Sequence, residues 1–189
     1  MRPPVTYHDV RERRGGGLTL RVERWRMAGG RVYEKRTAAG ETPVVRVSSG
    51  RRGIEMAGNT PRPLSPAELR RWRRETRMAP TNFEAHAHEM GVTTSVDGDI
   101  ETLESATERL LLERDARSGV PRRVVDFRAE REVVFEQPLD VQGRHVPRIE
   151  IHRKLGRELW RDRILEVEFD APVPEEVRRL WEALERGGA

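Results

Sequence analysis

Hydrophobic and polar positions alternate along most of this chain. Leu18, Leu20 and Val22 share one side of a predicted strand, and polar residues occupy the positions between them. Period-two alternation bounded by glycine-containing turns is typical of antiparallel strands with one buried face. The pattern predicts strands near residues 18–23, 31–37, 44–48, 51–56, 107–114, 122–127, 132–137, 146–153 and 158–169.

Two tryptophans fall out of phase with this pattern. The longest predicted strand, 158–169, places Leu159 and Leu165 on its apolar face and Trp160 on the face predicted to be wet. Trp25 is also out of phase with the apolar residues of its strand. Two explanations are open: packing beneath a C-terminal helix, or the rim of an apolar cavity. Packing is favoured because large aromatic side chains most often contribute to a core.

A proline-rich break follows the first strands, and Pro61 and Pro63 are predicted to end the sheet there. Ser65 and Glu68 form a capping box, with proline at the first helical position, which predicts a helix from residue 66. Leu69 lies on the apolar side of this helix together with Trp72. Four arginines, which we call the basic patch, occupy another side: Arg70, Arg71, Arg74 and Arg77.

Two further helices are predicted. A second capping box at residues 81–84 opens a short helix with His86 and His88, and apolar spacing predicts an amphipathic helix over 174–186. On a strand the two histidines would point the same way and could chelate a metal. On a helix, residues two apart point in different directions. We therefore expect two solvated histidines and no metal site.

The amino-acid composition predicts a thin hydrophobic core. Charged residues make up 36% of the 189 residues, apolar residues make up 35%, and there is no cysteine. The length fits a single domain, assigned to residues 1–189, and the high charge favours a sheet with one wet face. No stretch approaches the ~18 consecutive apolar residues of a membrane helix. The lack of cysteine excludes a disulfide scaffold and thiolate metal sites.

Charge patterning and motif content argue against an enzyme. The 36 basic and 32 acidic residues leave a net charge of +4, and arginines alternate with carboxylates on the predicted strands. We interpret this alternation as cross-strand ion pairs on a wet face. No P-loop, dinucleotide-binding glycine motif, nucleophile elbow or zinc-protease motif occurs in the sequence. We therefore predict no catalytic residue, no cofactor and no enzymatic activity.

Three segments of the second half resemble one known family. Residues 114–124 (RDARSGVPRRV) resemble a hairpin of the LolA/LolB-like outer-membrane lipoprotein-sorting family, and residues 140–150 (DVQGRHVPRIE) resemble its turn and strand. Residues 166–177 (EVEFDAPVPEEV) resemble its closing strand and proline-containing tail. The order of elements resembles the family over roughly residues 5–177, and the sharper motifs cover about 110–177.

The resemblance implies a mainly-β α+β fold: a curved antiparallel sheet, or incomplete β-barrel, wrapped around the mid-chain helices, with a C-terminal amphipathic helix. It implies a non-enzymatic, periplasmic or outer-membrane-associated protein that binds a lipid or lipoprotein acyl chain in an apolar cavity. The signal sequence and first helix usual in the family are missing from this chain, so a cytoplasmic location stays open. The residues expected to line the cavity are Leu20, Val22, Leu69, Trp72, Leu111, Phe135 and Ile151.

Two alternatives remain. The first keeps the fold but makes it an envelope scaffold or protein-interaction module whose cavity is filled by its own side chains. The second is a nucleic-acid binder that uses the basic patch; it ranks lower because Trp72 lies opposite to the arginines, and no nucleic-acid partner is expected. We expect a monomer without a transmembrane segment, and an envelope protein partner is compatible with the first two functions.

Overall fold

The computed structural model of the chain describes residues 6–27, 29–58, 60–77, 93–104 and 109–187. The strands in these ranges are β1 (Thr6–Gly15), β2 (Leu18–Met27), β3 (Arg31–Ala38), β4 (Val44–Ser49), β5 (Gly53–Ala57), β6 (Thr60–Pro63), β7 (Thr93–Asp97), β8 (Ile100–Glu104), β9 (Arg109–Arg114), β10 (Pro121–Asp126), β11 (Arg131–Val141), β12 (Arg144–Lys154) and β13 (Arg157–Phe169). The helices are α1 (Pro66–Arg77) and α2 (Glu175–Arg186). Neither of them is long and apolar enough to cross a membrane.

One antiparallel sheet contains all thirteen strands. Its order is β6-β5-β4-β3-β2-β1-β13-β12-β11-β10-β9-β8-β7. Most neighbours are therefore consecutive hairpin strands, and β13 returns to lie beside β1. The sheet is open, with β6 and β7 at its two edges. The predicted mainly-β class, with an antiparallel sheet that does not close into a barrel and a C-terminal helix, is confirmed.

The described chain divides into two compact units. Unit 1 contains the described residues within 1–13, 18–74 and 165–189, and unit 2 contains those within 14–17 and 75–164. Each unit has an apolar cluster of its own. The assignment of one domain to residues 1–189 stays a prediction.

One face of the unit 1 strands packs against α2, and we call it the α2 face. Trp25 on β2 lies directly opposite Tyr33 on β3, and both belong to a buried cluster with Val177, Trp181 and Leu184 of the helix. These helix residues recur at the spacing of one helical stripe. The predicted amphipathic helix and the packing explanation for Trp25 are both confirmed.

The other face of the same strands packs against α1, and we call it the α1 face. Val32 precedes Tyr33 on β3 and so points to the opposite side of the sheet. There it forms a buried cluster with Leu69 and Trp72. Because buried side chains lie on both faces of these strands, the expectation of one wet face is wrong for this unit.

The apolar cluster of unit 2 lies on one side of β8–β11. Its members are Leu103, Leu110, Leu112, Val124, Val133 and Phe135. The register pairs Val124 with both Leu112 and Val133, so these side chains point to the same side. Leu111 and Val134 point the other way and are only half-buried. The one-sided pattern predicted from the sequence fits these strands.

Four strands are absent from the sequence prediction: β1, β6, β7 and β8. Strand β1 lacks apolar alternation because Asp9 and Arg11 are among its buried residues. Strand β6 contains Pro61 and Pro63, which were expected to end the sheet. It is an exposed edge strand, the position in a sheet where proline is tolerated.

The buried side of β13 is the reverse of the predicted one over its first half. Asp162 and Ile164 are buried, whereas Leu159 and Leu165 are 37% and 45% exposed. Trp160 shares the side of Asp162, since the two are separated by two residues. The apolar pattern fails here because a charged residue lies at the centre of the buried side.

Replacing Trp181 by alanine tests the packing of α2. Trp181→Ala should lower the free energy of unfolding by about 3–5 kcal/mol, because it empties the centre of the α2 face. Urea denaturation measures the change. The matched control is Arg178→Ala on the exposed side of the same helix, which should stay within about 0.5 kcal/mol of the unsubstituted protein. Equal stability of the two variants would contradict the assignment.

Candidate functional site: an arginine-rimmed groove

A groove with a volume of about 410 Å³ opens in unit 1. It lies where β5, the end of β6, the start of α1 and the end of α2 come together. Its apolar lining consists of Ile54, Pro63, Leu64, Pro66, Leu69 and Leu184. Ligand sites commonly have volumes of about 300–1,000 Å³ and mostly apolar walls. The groove therefore has the size and lining to accept an apolar ligand.

Local sequence signals position the α1 wall of the groove. Ser65 and Glu68 form the predicted capping box: the Glu68 N–H donates to Ser65 Oγ at 3.2 Å, and the Ser65 N–H donates to Glu68 Oε2 at 2.9 Å. These hydrogen bonds and the Arg62 guanidinium lower the pKa of Glu68 to about 2. Gly53 lets α1 approach β5, because a Cβ atom there would lie 3.0 Å from Leu69 Cδ1.

The rim of the groove is positively charged. Four arginines contribute to it: Arg51, Arg52, Arg70 and Arg73. Arg51, Arg52 and Arg70 are exposed, and within the described part of the chain none of the three has a carboxylate at ion-pair distance. The described lining contains no acidic side chain. Guanidinium groups above an apolar floor suit an amphiphile that carries a carboxylate or phosphate.

The residues predicted to line a cavity are divided between the two units. In unit 1, Leu69 lines the groove and Trp72 packs beside it against Val32. Val22 is fully buried and Leu20 half-buried, both on the α1 face of β2.

The other three predicted lining residues belong to unit 2. Phe135 is part of the apolar cluster of this unit. The register places Leu111 and Ile151 on the opposite side of their strands from Phe135. These three side chains therefore do not share one surface within unit 2.

The predicted basic patch is described only in part. Arg70 and Arg71 are both exposed on α1, but only Arg70 belongs to the groove rim. The side chains of Arg74 and Arg77 lie outside the described residues, and so do His86 and His88 with their predicted short helix.

A buried charge cluster lies on the α1 face of unit 1. Its members are Asp9, Arg11, Arg24, Arg26 and Glu34, none of which is more than 5% exposed. Arg11 Nε donates to Asp9 Oδ1 at 2.6 Å, and Arg24 Nε donates to Glu34 Oε2 at 2.5 Å. Alternating arginines and carboxylates were expected to form ion pairs on a wet face. For these residues that expectation is wrong, because the same alternation forms the interior of the unit.

Glu34 is the carboxylate partner of Arg24 in the buried charge cluster. It is directly opposite Arg24 in the register of β2 and β3, and Arg36 Nη2 lies 2.5 Å from its other oxygen, Oε1. Burial alone would raise the pKa of Glu34. The guanidinium groups of Arg24 and Arg36 outweigh this effect and hold the pKa far below its ordinary value. Glu34 is therefore ionised at neutral pH.

The guanidinium of Arg26 is buried, and its charge is compensated less closely than that of Arg24. Its Nη2 lies 3.9 Å from Asp9 Oδ2, and its guanidinium carbon lies 5.2 Å from the centre of the Tyr7 ring. None of its three side-chain nitrogens has a hydrogen-bond partner among the described residues. Burial lowers the pKa of this guanidinium. Charge and ring contacts, not hydrogen bonds, hold the side chain.

In the described part of the chain, one group of residues of the types that ligate metals lies close together. It consists of Glu150, His152 and Asp162, all of them buried in unit 2. Sequence reasoning assigned them no role, because Glu150 and Asp162 become neighbours only through the register of β12 and β13.

Comparison with solved structures identifies the fold. A LolA superfamily protein from Nitrosomonas europaea superposes with a TM-score of 0.60, covering 94% of this chain and 90% of its own, at 10% sequence identity. A Vibrio parahaemolyticus domain assigned to outer membrane lipoprotein sorting also gives a TM-score of 0.60, covering 94% and 91%, at 8% identity. The chain has a LolA-like fold.

A third structure with this LolA-like fold is more distant. It is a DUF1329 family protein from Desulfovibrio piger, with a TM-score of 0.53, coverage of 90% and 87%, and 11% identity. No family model matches the sequence, and no curated protein sequence matches it either. The family resemblance seen in the sequence motifs is confirmed at the level of the fold.

At the α1 face, the structure of this chain differs from what the family resemblance implies. The resemblance implied an apolar cavity lining, and Val32, Leu69 and Trp72 provide an apolar cluster there. The same face of β3 also carries Glu34, two residues from Val32, within the buried charge cluster. In unit 1 the apolar groove and the charged part of the α1 face are therefore formed by different residues.

The pH dependence of the stability of a Glu34→Gln variant tests the buried charge cluster. A carboxylate whose pKa is depressed in the folded state stabilises the protein above its unfolded pKa of about 4.3, and this contribution is lost as the pH falls toward the folded pKa. The unsubstituted protein should therefore lose stability below about pH 5 more steeply than Glu34→Gln, by up to about 1.4 kcal/mol per pH unit.

At pH 7 the same variant should unfold about 3–5 kcal/mol more easily, because it leaves buried guanidiniums without their counter-charge. Glu182→Gln, on the exposed side of α2, is the control and should keep the original free energy and pH profile. Identical pH profiles for Glu34→Gln and the unsubstituted protein would contradict the depressed pKa of Glu34.

Proposed function

We propose that this chain is a non-enzymatic cell-envelope protein that binds the acyl chain of a lipid or lipoprotein. The observation that carries the proposal is the groove of unit 1, which combines an apolar lining with a rim of four arginines. The fold supports the same class of function, because it is shared with a LolA superfamily protein and a lipoprotein-sorting domain. On the same basis we propose a periplasmic or outer-membrane-associated location.

The proposed binding mechanism has an apolar and an ionic part. Each methylene of an acyl chain removed from water contributes about 0.8 kcal/mol. Arg51, Arg52 and Arg70 donate charge-assisted hydrogen bonds to the carboxylate or phosphate at the polar end of the chain. Leu69 belongs to α1 and forms part of the wall, so displacement of this helix opens the groove and releases the ligand.

The residues predicted to line the cavity have different roles in this proposal. Leu69 contacts the acyl chain directly, and Trp72 supports it from the cluster with Val32. Contact with the remaining predicted residues stays a prediction: Leu20, Val22, Leu111, Phe135 and Ile151. A monomeric state and an envelope protein partner also stay predictions.

A second candidate function is an envelope scaffold or interaction module with the same fold. The observation that favours it is the buried charge cluster, whose side chains occupy the α1 face of β1–β3 themselves. A protein of this kind would hold no acyl chain. The lipid-binding experiment below therefore distinguishes the two candidates.

Titration of the delipidated protein with a fluorescent long-chain fatty acid tests the proposal. Binding should saturate at one fatty acid per chain, and Arg70→Glu should weaken it by about tenfold, because the variant replaces a hydrogen-bond donor to the carboxylate with a like charge. Arg71→Glu is the matched control. It carries the same change on the next residue of α1, outside the groove rim, and should leave the affinity within about twofold.

Two results would contradict the acyl-binding proposal. Delipidated protein that binds no fatty acid would favour the scaffold instead. Equal weakening by Arg70→Glu and Arg71→Glu would assign the effect to the general charge of α1. A separate outcome concerns the nucleic-acid alternative. If the unsubstituted protein binds a nucleic acid in a salt-dependent way and both variants abolish this binding, the basic patch is the functional surface.

A further inference from the structure

The β12–β13 hairpin carries a buried polar group that the proposed function does not use. Glu150 on β12 lies directly opposite Asp162 on β13, so two carboxylates form a cross-strand pair. Like charges in this position destabilise a sheet unless positive charge compensates them. His152 follows Glu150 by two residues and points to the same side of β12.

The three side chains converge on one point. His152 Nε2 lies 3.5 Å from Glu150 Oε2 and 3.8 Å from Asp162 Oδ2. The potential ligand atoms of all three lie within 4.8 Å of one another. Glu150, His152 and Asp162 are only 3%, 9% and 0% exposed. The group is therefore compact and shielded from bulk water.

The imidazole nitrogen at the centre of this group lacks a hydrogen bond. Among the described residues, His152 Nε2 has no hydrogen-bond partner although it is buried. Its distances to the two carboxylates exceed the usual 2.7–3.2 Å of an N–H···O bond. A tetrahedral metal ion with bonds of about 2.1 Å holds its ligand atoms about 3.4 Å apart. The two distances from His152 Nε2, 3.5 and 3.8 Å, are close to the edges of such a coordination shell.

We propose that Glu150, His152 and Asp162 bind a divalent first-row cation. One imidazole nitrogen and two carboxylate oxygens form a donor set that suits Zn²⁺ and Mn²⁺. Two carboxylates balance the charge of the ion. Both carboxylates have other interactions as well, so the ion is an additional partner for them.

Trp160 positions the histidine of this site. The Trp160 and His152 rings stack with their centres 4.7 Å apart and an angle of 22° between their planes. The two residues are directly opposite each other on β13 and β12. Stacking restricts rotation of the imidazole and keeps Nε2 directed toward the carboxylates. The site is preorganised by the register of one hairpin, and it does not depend on the acyl-binding proposal.

His8 in unit 1 provides a matched comparison. Its ring stacks on Trp25 with centres 4.1 Å apart and the same angle of 22°, and its Nε2 lies 3.4 Å from Glu23 Oε1. Among the described residues, His8 has one carboxylate at ion-pair distance, whereas His152 has two, and Glu23 is substantially exposed. A stacked histidine with one carboxylate supplies too few ligands for a tight site.

The experiment measures Zn²⁺ binding to the full chain after treatment with a chelator. Isothermal titration at neutral pH should give one Zn²⁺ per chain, and Co²⁺ should produce the visible absorption bands of a low-symmetry site. His152→Ala and Asp162→Asn should each weaken Zn²⁺ binding by at least about 100-fold. His8→Ala should keep the original stoichiometry and affinity. Circular dichroism establishes that each variant is folded.

Failure of the chelator-treated protein to bind stoichiometric Zn²⁺ or Mn²⁺ overturns the proposal, whatever the behaviour of the variants. Retained binding in folded His152→Ala, or equal loss in His8→Ala, also overturns it. Because Asp162→Asn changes the other strand of the hairpin, it tests the site even if His152→Ala does not fold. Fatty-acid binding is measured on the same samples and should be unaffected by the removal of the metal.

Discussion

The burial of Glu34 between two arginines constrains the whole of unit 1. A carboxylate with no solvent exposure must have its charge compensated, and only the present register of β2 and β3 places Arg24 opposite it. A slip of one residue would exchange the two faces of the strand. Glu34 would then lie among the aromatic residues of the α2 face, and Tyr33 would lie among the charges. The ion pair therefore specifies the register as well as contributing to stability.

This constraint explains why the two helices of unit 1 cover such different surfaces. The buried cluster on the α2 face consists of tryptophan, tyrosine and aliphatic side chains. The α1 face divides into an apolar part beneath α1 and a charged part on β1–β3. An apolar ligand has little to gain from the charged part. For this reason the groove at the start of α1, and not the broad face of the sheet, is the surface of unit 1 most suited to an acyl chain.

The sequence predicts well where local chemistry decides the structure. The Ser65–Glu68 capping box sets the start of α1, and the apolar stripe of Val177, Trp181 and Leu184 identifies α2. Hairpin turns and apolar alternation similarly locate most of the central strands.

Prediction fails where the buried side of a strand is charged. Strand β1 buries Asp9 and Arg11 and lacks the apolar alternation that marks an interior face, whereas β13 buries Asp162 on the side opposite to the one that its apolar alternation predicts. Their charges are compensated by contacts within and between strands, which the periodicity of a single strand cannot reveal. The Glu150–His152–Asp162 group is hidden for the same reason, since it exists only through the pairing of two strands. The groove likewise combines residues from the β4–β5 turn, α1 and α2.

The coupling energy between Arg24 and Glu34 is the most direct measure of the central constraint. A double-mutant cycle of Arg24→Met, Glu34→Leu and the combined variant, followed by urea denaturation at neutral pH, isolates this pairwise term. The buried pair predicts a coupling of about 2–3 kcal/mol, with the double variant more stable than either single variant. A coupling below about 0.5 kcal/mol would contradict the account, because the register of unit 1 would then not depend on this ion pair.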